Sequence, residues 1–257
     1  MSSNFLPGAE PLSLEGTSNQ GCLLLHGAGG GTAWDLKEFA ILLNKQTNMT
    51  IRLPTLKGFG TTPEELYEIG FQDWYQQARD EIVELQASVE DVFIVGHSFG
   101  GIIALLLAAA HPSIAGISIW STPFSLKSRL FRLLPLLRKI PGIERIFPDR
   151  VVNPAPEQLK KLGWISYEWI PSSLGFVIFE GFTRLKVVIQ EVSCPTLIVQ
   201  GEKDELIQRQ SARRIFDQIS SIKKEVWIIE NGHHPLMLEP QFKVELFDRT
   251  ISFLLSP

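Results

Sequence analysis

Short apolar runs alternate with longer stretches of helical period along this chain. Residues 22–26, 49–53, 92–96, 117–120, 196–200 and 226–230 each form a compact apolar or β-branched run of strand length. Residues 34–43, 71–85, 102–110, 210–219 and 242–255 read as helices. In the second of these, Trp74, Ala78, Ile82 and Leu85 recur at helical spacing and mark one buried face. Residues 102–110 are apolar almost all round, which predicts a helix with no solvent face. The 92–96 run is continuous and β-branched, the mark of a strand covered on both sides. Strand and helix in alternation predict an α/β protein with a mostly parallel sheet and helices on both faces.

The rhythm breaks between residues 121 and 181. Pro123, Pro135, Pro141, Pro148, Pro154, Pro156 and Pro171 interrupt this stretch, and no clean buried strand runs through it. It reads as an inserted helical cap, with residues 1–120 and 182–257 as the core. Leu126, Leu130, Leu133, Leu134 and Leu137 recur in it at helical spacing, with Lys127, Arg129, Arg132, Arg138 and Lys139 among them. From Leu126 to Arg150 there are seven basic residues against two acidic ones. That stripe fits a cap helix with its leucines over the site and its charges in water. Weak lipid-surface contact through the cap is the rival reading. Trp164, Tyr167, Trp169, Phe176 and Phe179 suit either the wall of an apolar acyl pocket or the cap's own core.

Composition narrows the picture little. With 257 residues, 44% hydrophobic, the chain can bury a core without disulfide or metal. A net charge of −4 argues against a nucleic-acid partner. The only two cysteines, Cys22 and Cys194, border apolar runs and read as buried thiols. Residues 1–15 lack a basic, apolar leader, and no run approaches a membrane span. These features together predict a cytoplasmic protein.

The chemistry concentrates in Gly96-His97-Ser98-Phe99-Gly100, a G-x-S-x-G pattern between a buried strand and an apolar helix. In that setting a serine sits on a sharp strand-to-helix turn, flanked by small residues, with its hydroxyl above the carboxyl edge of the sheet. Serine needs a base. Of His26, His97, His111, His233 and His234, only the last two follow Ser98 by enough chain to come from a later strand. His233, directly after Gly232, is the preferred base, with His234 as the alternative. His111, before Pro112, reads as a helix cap, and His97 should point away from the hydroxyl. The acid is expected after the 196–200 strand, in Gly201-Glu202-Lys203-Asp204-Glu205. Asp204 is preferred over Glu202 and Glu205. The oxyanion donors expected are the backbone N–H groups of Phe99 and of Ala28 in His26-Gly27-Ala28-Gly29-Gly30-Gly31. That glycine loop lacks the Lys-Ser/Thr of a P-loop and the spacing of a dinucleotide fingerprint. No cofactor and no metal is called for.

These pieces resemble the α/β-hydrolase superfamily over nearly the whole chain, and within it the bacterial carboxylesterase and monoacylglycerol lipase group. The resemblance rests on Leu23-Leu24-Leu25-His26-Gly27, Leu53-Pro54-Thr55-Leu56-Lys57-Gly58-Phe59-Gly60, Thr62-Pro63-Glu64-Glu65-Leu66 and Asp73-Trp74. It continues in the elbow and in Cys194-Pro195-Thr196-Leu197-Ile198-Val199-Gln200-Gly201. It implies the α/β-hydrolase fold, a triad of Ser98, Asp204 and His233, and oxyanion donors at Ala28 and Phe99. The chain departs from the group at Phe59, at His97 and in the doubled His233-His234, and most of all in residues 121–181. The implied activity is hydrolysis of a small-molecule carboxylic ester, such as a monoacylglycerol, with an apolar acyl chain. Amide or thioester hydrolysis by the same triad, and non-catalytic ligand binding on the same fold, are the competing expectations.

Overall fold

A computed structural model describes residues 5–124, 142, 149–153, 161 and 164–256. The leucine and arginine–lysine stripe expected between Leu126 and Lys139 lies outside the described residues.

Seven strands form one sheet in the order β1-β3-β2-β4-β5-β8-β9. They are β1 (Leu12–Leu14), β2 (Gln20–Leu25), β3 (Thr50–Leu53), β4 (Asp91–His97), β5 (Gly116–Trp120), β8 (Thr196–Gly201) and β9 (Lys224–Ile229). Only β1 runs antiparallel, pairing Leu12 with Leu53. All other pairings are parallel. The three-residue β1 was not expected, because Leu-Ser-Leu is too short for period-two alternation to register. A separate two-stranded sheet pairs β6 (Arg150–Val152) with β7 (Trp169–Pro171) in the segment between β5 and β8.

The sheet divides the core in two. On β2 and β4, Leu23, Leu25, Val92 and Ile94 face one side. Cys22, Leu24, Phe93 and Val95 face the other. This is the period-two alternation of a pleated strand, here apolar on both faces, as a sheet between two helical layers requires. The first face packs on α2 (Phe71–Gln86), α3 (Phe99–Ala110), α4 (Leu174–Val188) and α5 (Ser211–Gln218). The second packs on α1 (Trp34–Thr47) and α6 (Pro240–Leu255). The face expected on α2 is the buried one: Phe71, Trp74, Ala78, Ile82 and Leu85. In α3 ten of twelve residues are buried, consistent with its apolar circumference. Helix α4 runs through position 181, so the boundary expected there falls inside a helix.

From β2 the chain goes to β3 on one side, then crosses to β4 on the other. The loops after β2 and β4 therefore diverge at the carboxyl edge and leave a crevice between them, the usual ligand position in open α/β sheets. The loops after β5, β8 and β9 open on the same edge, since these strands are parallel.

Leu24 is fully buried at the centre of the second core. Leu24→Ala should cost about 3 kcal/mol, lowering the melting midpoint by about 10 °C in a chain of this size. Thermal denaturation checks this, with a loss of under about 1 kcal/mol showing that the site collapses onto the void.

Candidate active site

Ser98 stands between β4 and α3 with φ 53° and ψ −118°, a conformation costly for a residue with a Cβ. Its N–H donates to the Trp120 carbonyl of β5 (2.8 Å), and its own carbonyl accepts from Gly101 N–H (3.0 Å). The turn also needs α3 to run close beneath the β2 strand end. A Cβ at Gly100 would overlap the carbonyl oxygen of Leu25. These contacts over-determine the turn and hold the strained serine in place.

The hydroxyl of Ser98 meets His234, not the preferred His233. His234 Nε2 lies 3.0 Å from Ser98 Oγ. His234 Nδ1 lies 2.7 Å from Asp204 Oδ2. Asp204 follows β8, where the sequence led us to expect the acid, and is 1% exposed. Its other oxygen, Oδ1, accepts the N–H groups of Leu206 (2.9 Å) and Ile207 (3.0 Å). Burial pushes the Asp204 carboxyl up, but the bond and charge of His234 and these two amides outweigh it and hold it below the usual range. The carboxylate thus stays ionised and fixes the imidazole with Nε2 toward the serine.

His233 turns outward. Its side chain is 48% exposed against 11% for His234, and it pairs with Glu205. Its backbone N–H donates to Glu239 Oε1 (2.8 Å). The physical reason lies in the turn after β9. Asn231 adopts φ 61°, and successive side chains beyond it point opposite ways. Two acid–imidazole pairs then lie side by side, Asp204 with His234 inside and Glu205 with His233 outside. His97, one residue before Ser98, donates from Nε2 to the His234 carbonyl (3.3 Å) and so ties the inner histidine to the β4–α3 turn. The His97 ring packs against the His234 ring, centroids 5.1 Å apart. Burial and the neighbouring His234 hold His97 down at about 3, so it is neutral at ordinary pH. Glu202 is engaged elsewhere, with Arg209 (2.7 Å).

The glycine loop follows β2. Gly27 lies against Ser98: a Cβ there would stand 3.0 Å from Ser98 Cβ. His26 is fully buried, and burial lowers it to about 4 despite its bond to Gly27. Its Nε2 accepts Leu56 N–H (2.9 Å), which leaves Nδ1–H to donate to the Gly27 carbonyl (2.8 Å). That carbonyl belongs to the same peptide group as the Ala28 N–H. The imidazole therefore orients and polarises the peptide expected to face the oxyanion. Phe99, the other expected donor, opens α3, where first-turn N–H groups have no intrahelical acceptor.

The residues of the expected aromatic wall divide. Trp164 donates from Nε1 to Asp35 Oδ1 (2.8 Å). Tyr167 donates to the Gly58 carbonyl and accepts from Thr61 N–H (2.9 Å each). Trp169 lies under Arg150, 3.9 Å from ring centroid to guanidinium carbon. Phe176 and Phe179 sit half-buried on α4. The motif residues near Lys57 also find roles, since Trp74 Nε1 donates to the Lys57 carbonyl (2.8 Å). Among the described residues, no three His, Cys, Asp or Glu side chains are placed to hold a metal ion. No helix among them is long and apolar enough to cross a membrane. Cys22 and Cys194 are both buried free thiols.

Asp35, at the start of α1 beneath the glycine loop, is a residue the sequence reading missed. Burial pushes its carboxyl up to about 7, against the bonds from Trp164 and the Thr32 backbone. Only its position one turn from the glycine run could have signalled it.

The α/β-hydrolase family model matches residues 22–245. A thermostable monoacylglycerol lipase of Bacillus sp. (strain H-257) is 28% identical over 234 residues, covering 91% of this chain and 90% of the relative. A carboxylesterase of Bacillus subtilis (strain 168) is 27% identical over 229 residues, covering 87% and 88%. Among solved structures, one described with LipS and LipT, two metagenome-derived lipolytic enzymes, superposes with a TM-score of 0.87 at 24% identity, covering 98% and 99% of the two chains. The monoacylglycerol lipase of Paleococcus ferrophilus superposes with a TM-score of 0.74 at 18% identity, covering 95% and 98%.

His234→Ala should lower kcat by roughly 10⁴-fold or more. His233→Ala removes only an exposed pair and should change it by less than about fivefold. Steady-state kinetics of the two variants check the ranking, and the reverse order would return the base to His233. For Asp35 the folded carboxyl titrates near 7 and the unfolded one near 4. Between these values the folded state holds a proton that the unfolded state releases, so this group's contribution to stability is lost as pH rises from about 4 to about 7. Asp35→Asn keeps an acceptor for Trp164 and removes that loss. Its stability relative to the parent chain should climb between pH 5 and pH 8 in urea titrations. A pH-independent difference would show that Asp35 titrates normally.

Proposed function

This chain belongs to the α/β-hydrolase family, and we propose that it cleaves carboxylic esters through an acyl-enzyme on Ser98. The observation that carries this reading is the unbroken chain from Ser98 Oγ through His234 to Asp204, at 3.0 and 2.7 Å. The relatives named as a monoacylglycerol lipase and a carboxylesterase, each matching most of this chain, support the ester as the bond attacked.

In this mechanism His234 Nε2 takes the proton of Ser98 as Oγ attacks the ester carbonyl. The imidazolium is stabilised by the ionised Asp204. The N–H groups of Ala28 and Phe99 donate to the oxygen as it gains charge. The alcohol leaves with the proton from His234, and the acyl group stays on Ser98. A water then gives its proton to the same imidazole and attacks the acyl carbonyl, freeing the acid and restoring the serine. In this reading the segment between β5 and α4 acts as the cap, and an acylglycerol with an apolar chain is the substrate class that suits the site. The cytoplasm is the compartment we assign, where Cys22 and Cys194 remain reduced thiols.

Hydrolysis of p-nitrophenyl esters from short to long acyl chains tests the reading, with Ser98→Ala beside the parent chain. Turnover should appear in the parent and fall at least about 10⁴-fold in the variant. The preferred chain length then sizes the pocket. A folded parent chain that cleaves no ester, while cleaving an amide or a thioester, would overturn the choice of bond. Tight ligand binding without any turnover would overturn the enzyme.

A further inference from the structure

The glycine loop poses a mechanical problem. Four of the five residues at positions 27–31 are glycines, which have the widest backbone freedom of any residue. An oxyanion donor works only when held at a fixed place before charge develops. His26 pins the loop on one side of Ala28, at the Gly27 carbonyl. The pin on the other side comes from a different part of the chain. Asn153, just beyond β6, donates from Nδ2 to the Gly29 carbonyl (3.1 Å) and to the Tyr167 carbonyl (3.1 Å).

We propose that Asn153 is a positioning residue for the oxyanion hole, its side-chain amide holding the Gly29 carbonyl so that the Ala28 N–H stays aimed at the reacting oxygen. The inference rests on the ester-hydrolase reading of Ser98. Three features support it. Gly30 has φ +103°, and a Cβ there would stand only 2.9 Å from Asn153 Nδ2, so the loop is shaped to admit this amide. Asn153 is itself anchored, its N–H donating to the Glu168 carbonyl (2.8 Å) beside the β6–β7 ladder. That ladder is tied to the core on both flanks, by Trp164 on Asp35 and by Tyr67, whose hydroxyl donates to Asp149 Oδ2 (2.6 Å). The segment after β5 thus contributes to the catalytic geometry and does more than cover the site.

The test uses the full chain with Asn153→Ala and the isosteric Asn153→Asp, which keeps the volume and places an acceptor against the Gly29 carbonyl. Three readouts are taken: steady-state kinetics on p-nitrophenyl butyrate, inhibition by phenylboronic acid, and amide exchange of residues 27–31 by mass spectrometry. Boronic acid adds to the serine as a tetrahedral anion and so reports the oxyanion donors. Asn153→Ala should lower kcat about tenfold with KM within about twofold, weaken boronate binding by a similar factor, and speed exchange in the loop but not in β4. Asn153→Asp should do more on every count, and it decides the matter if the alanine variant does not fold. A folded variant with unchanged kcat and unchanged loop exchange overturns the proposal. So does a raised KM at constant kcat, which would make Asn153 a substrate contact. If the parent chain cleaves no ester, the ester reading fails by itself. Loop exchange alone then decides this one, with faster exchange supporting it and unchanged exchange refuting it.

Discussion

The backbone of Ser98 is where the requirements of the molecule converge. A serine at φ 53° is tolerated because β4 and α3 are both buried and cannot relax independently of the turn between them. Strand β4 is hydrogen-bonded to β2 and β5, and α3 lies apolar on nearly all sides against the same sheet. Each contact is ordinary core packing. Together they leave the hydroxyl one place to be, above the carboxyl edge, in the crevice where the chain reverses its direction of winding. The loops after β2, β8 and β9 inherit their positions from that sheet. The glycine loop, Asp204 and His234 are therefore brought to one edge by strand order, and the loops set their final contacts.

Much of this was legible in the residues. Each of the six strands expected in the main sheet corresponds to an observed one, because runs such as Val92 to Val95 must be covered on two sides. Helix α2 was legible from Trp74, Ala78, Ile82 and Leu85, whose spacing leaves one apolar stripe. Strand β1 was not, since three residues carry too little pattern. Nor was the β6–β7 pair, whose exposed Arg150, Val151 and Val152 obey no burial period.

The site was legible by position but not by register. Ser98 and Asp204 stand where strand ends demanded them. The choice between His233 and His234 depended on which side of a turn each side chain leaves, and two adjacent acids offered each imidazole a partner. Contacts distant in sequence help to orient the turn, among them the bond from His97 to the His234 carbonyl, which spans 137 residues, and that from Lys203 N–H to the Gly232 carbonyl. The left-handed Asn231 sets the turn locally, but the sequence pattern does not show which of the two imidazoles it sends inward. The same holds for Asn153 and Asp35, whose meaning comes from the loop they hold and not from their own neighbourhood.

The order of parts along the chain has a consequence for biosynthesis. The glycine loop and Ser98 lie within the first 100 residues, while Asp204 and His234 come more than 100 residues later. During synthesis from the N-terminus, the serine exists for more than half of the chain's elongation with no imidazole to activate it. A nascent or prematurely ended chain holds a hydroxyl no more reactive than any other. On the proposed mechanism, acyl transfer waits for β9 to join the edge of the sheet, which carries His234 to Ser98.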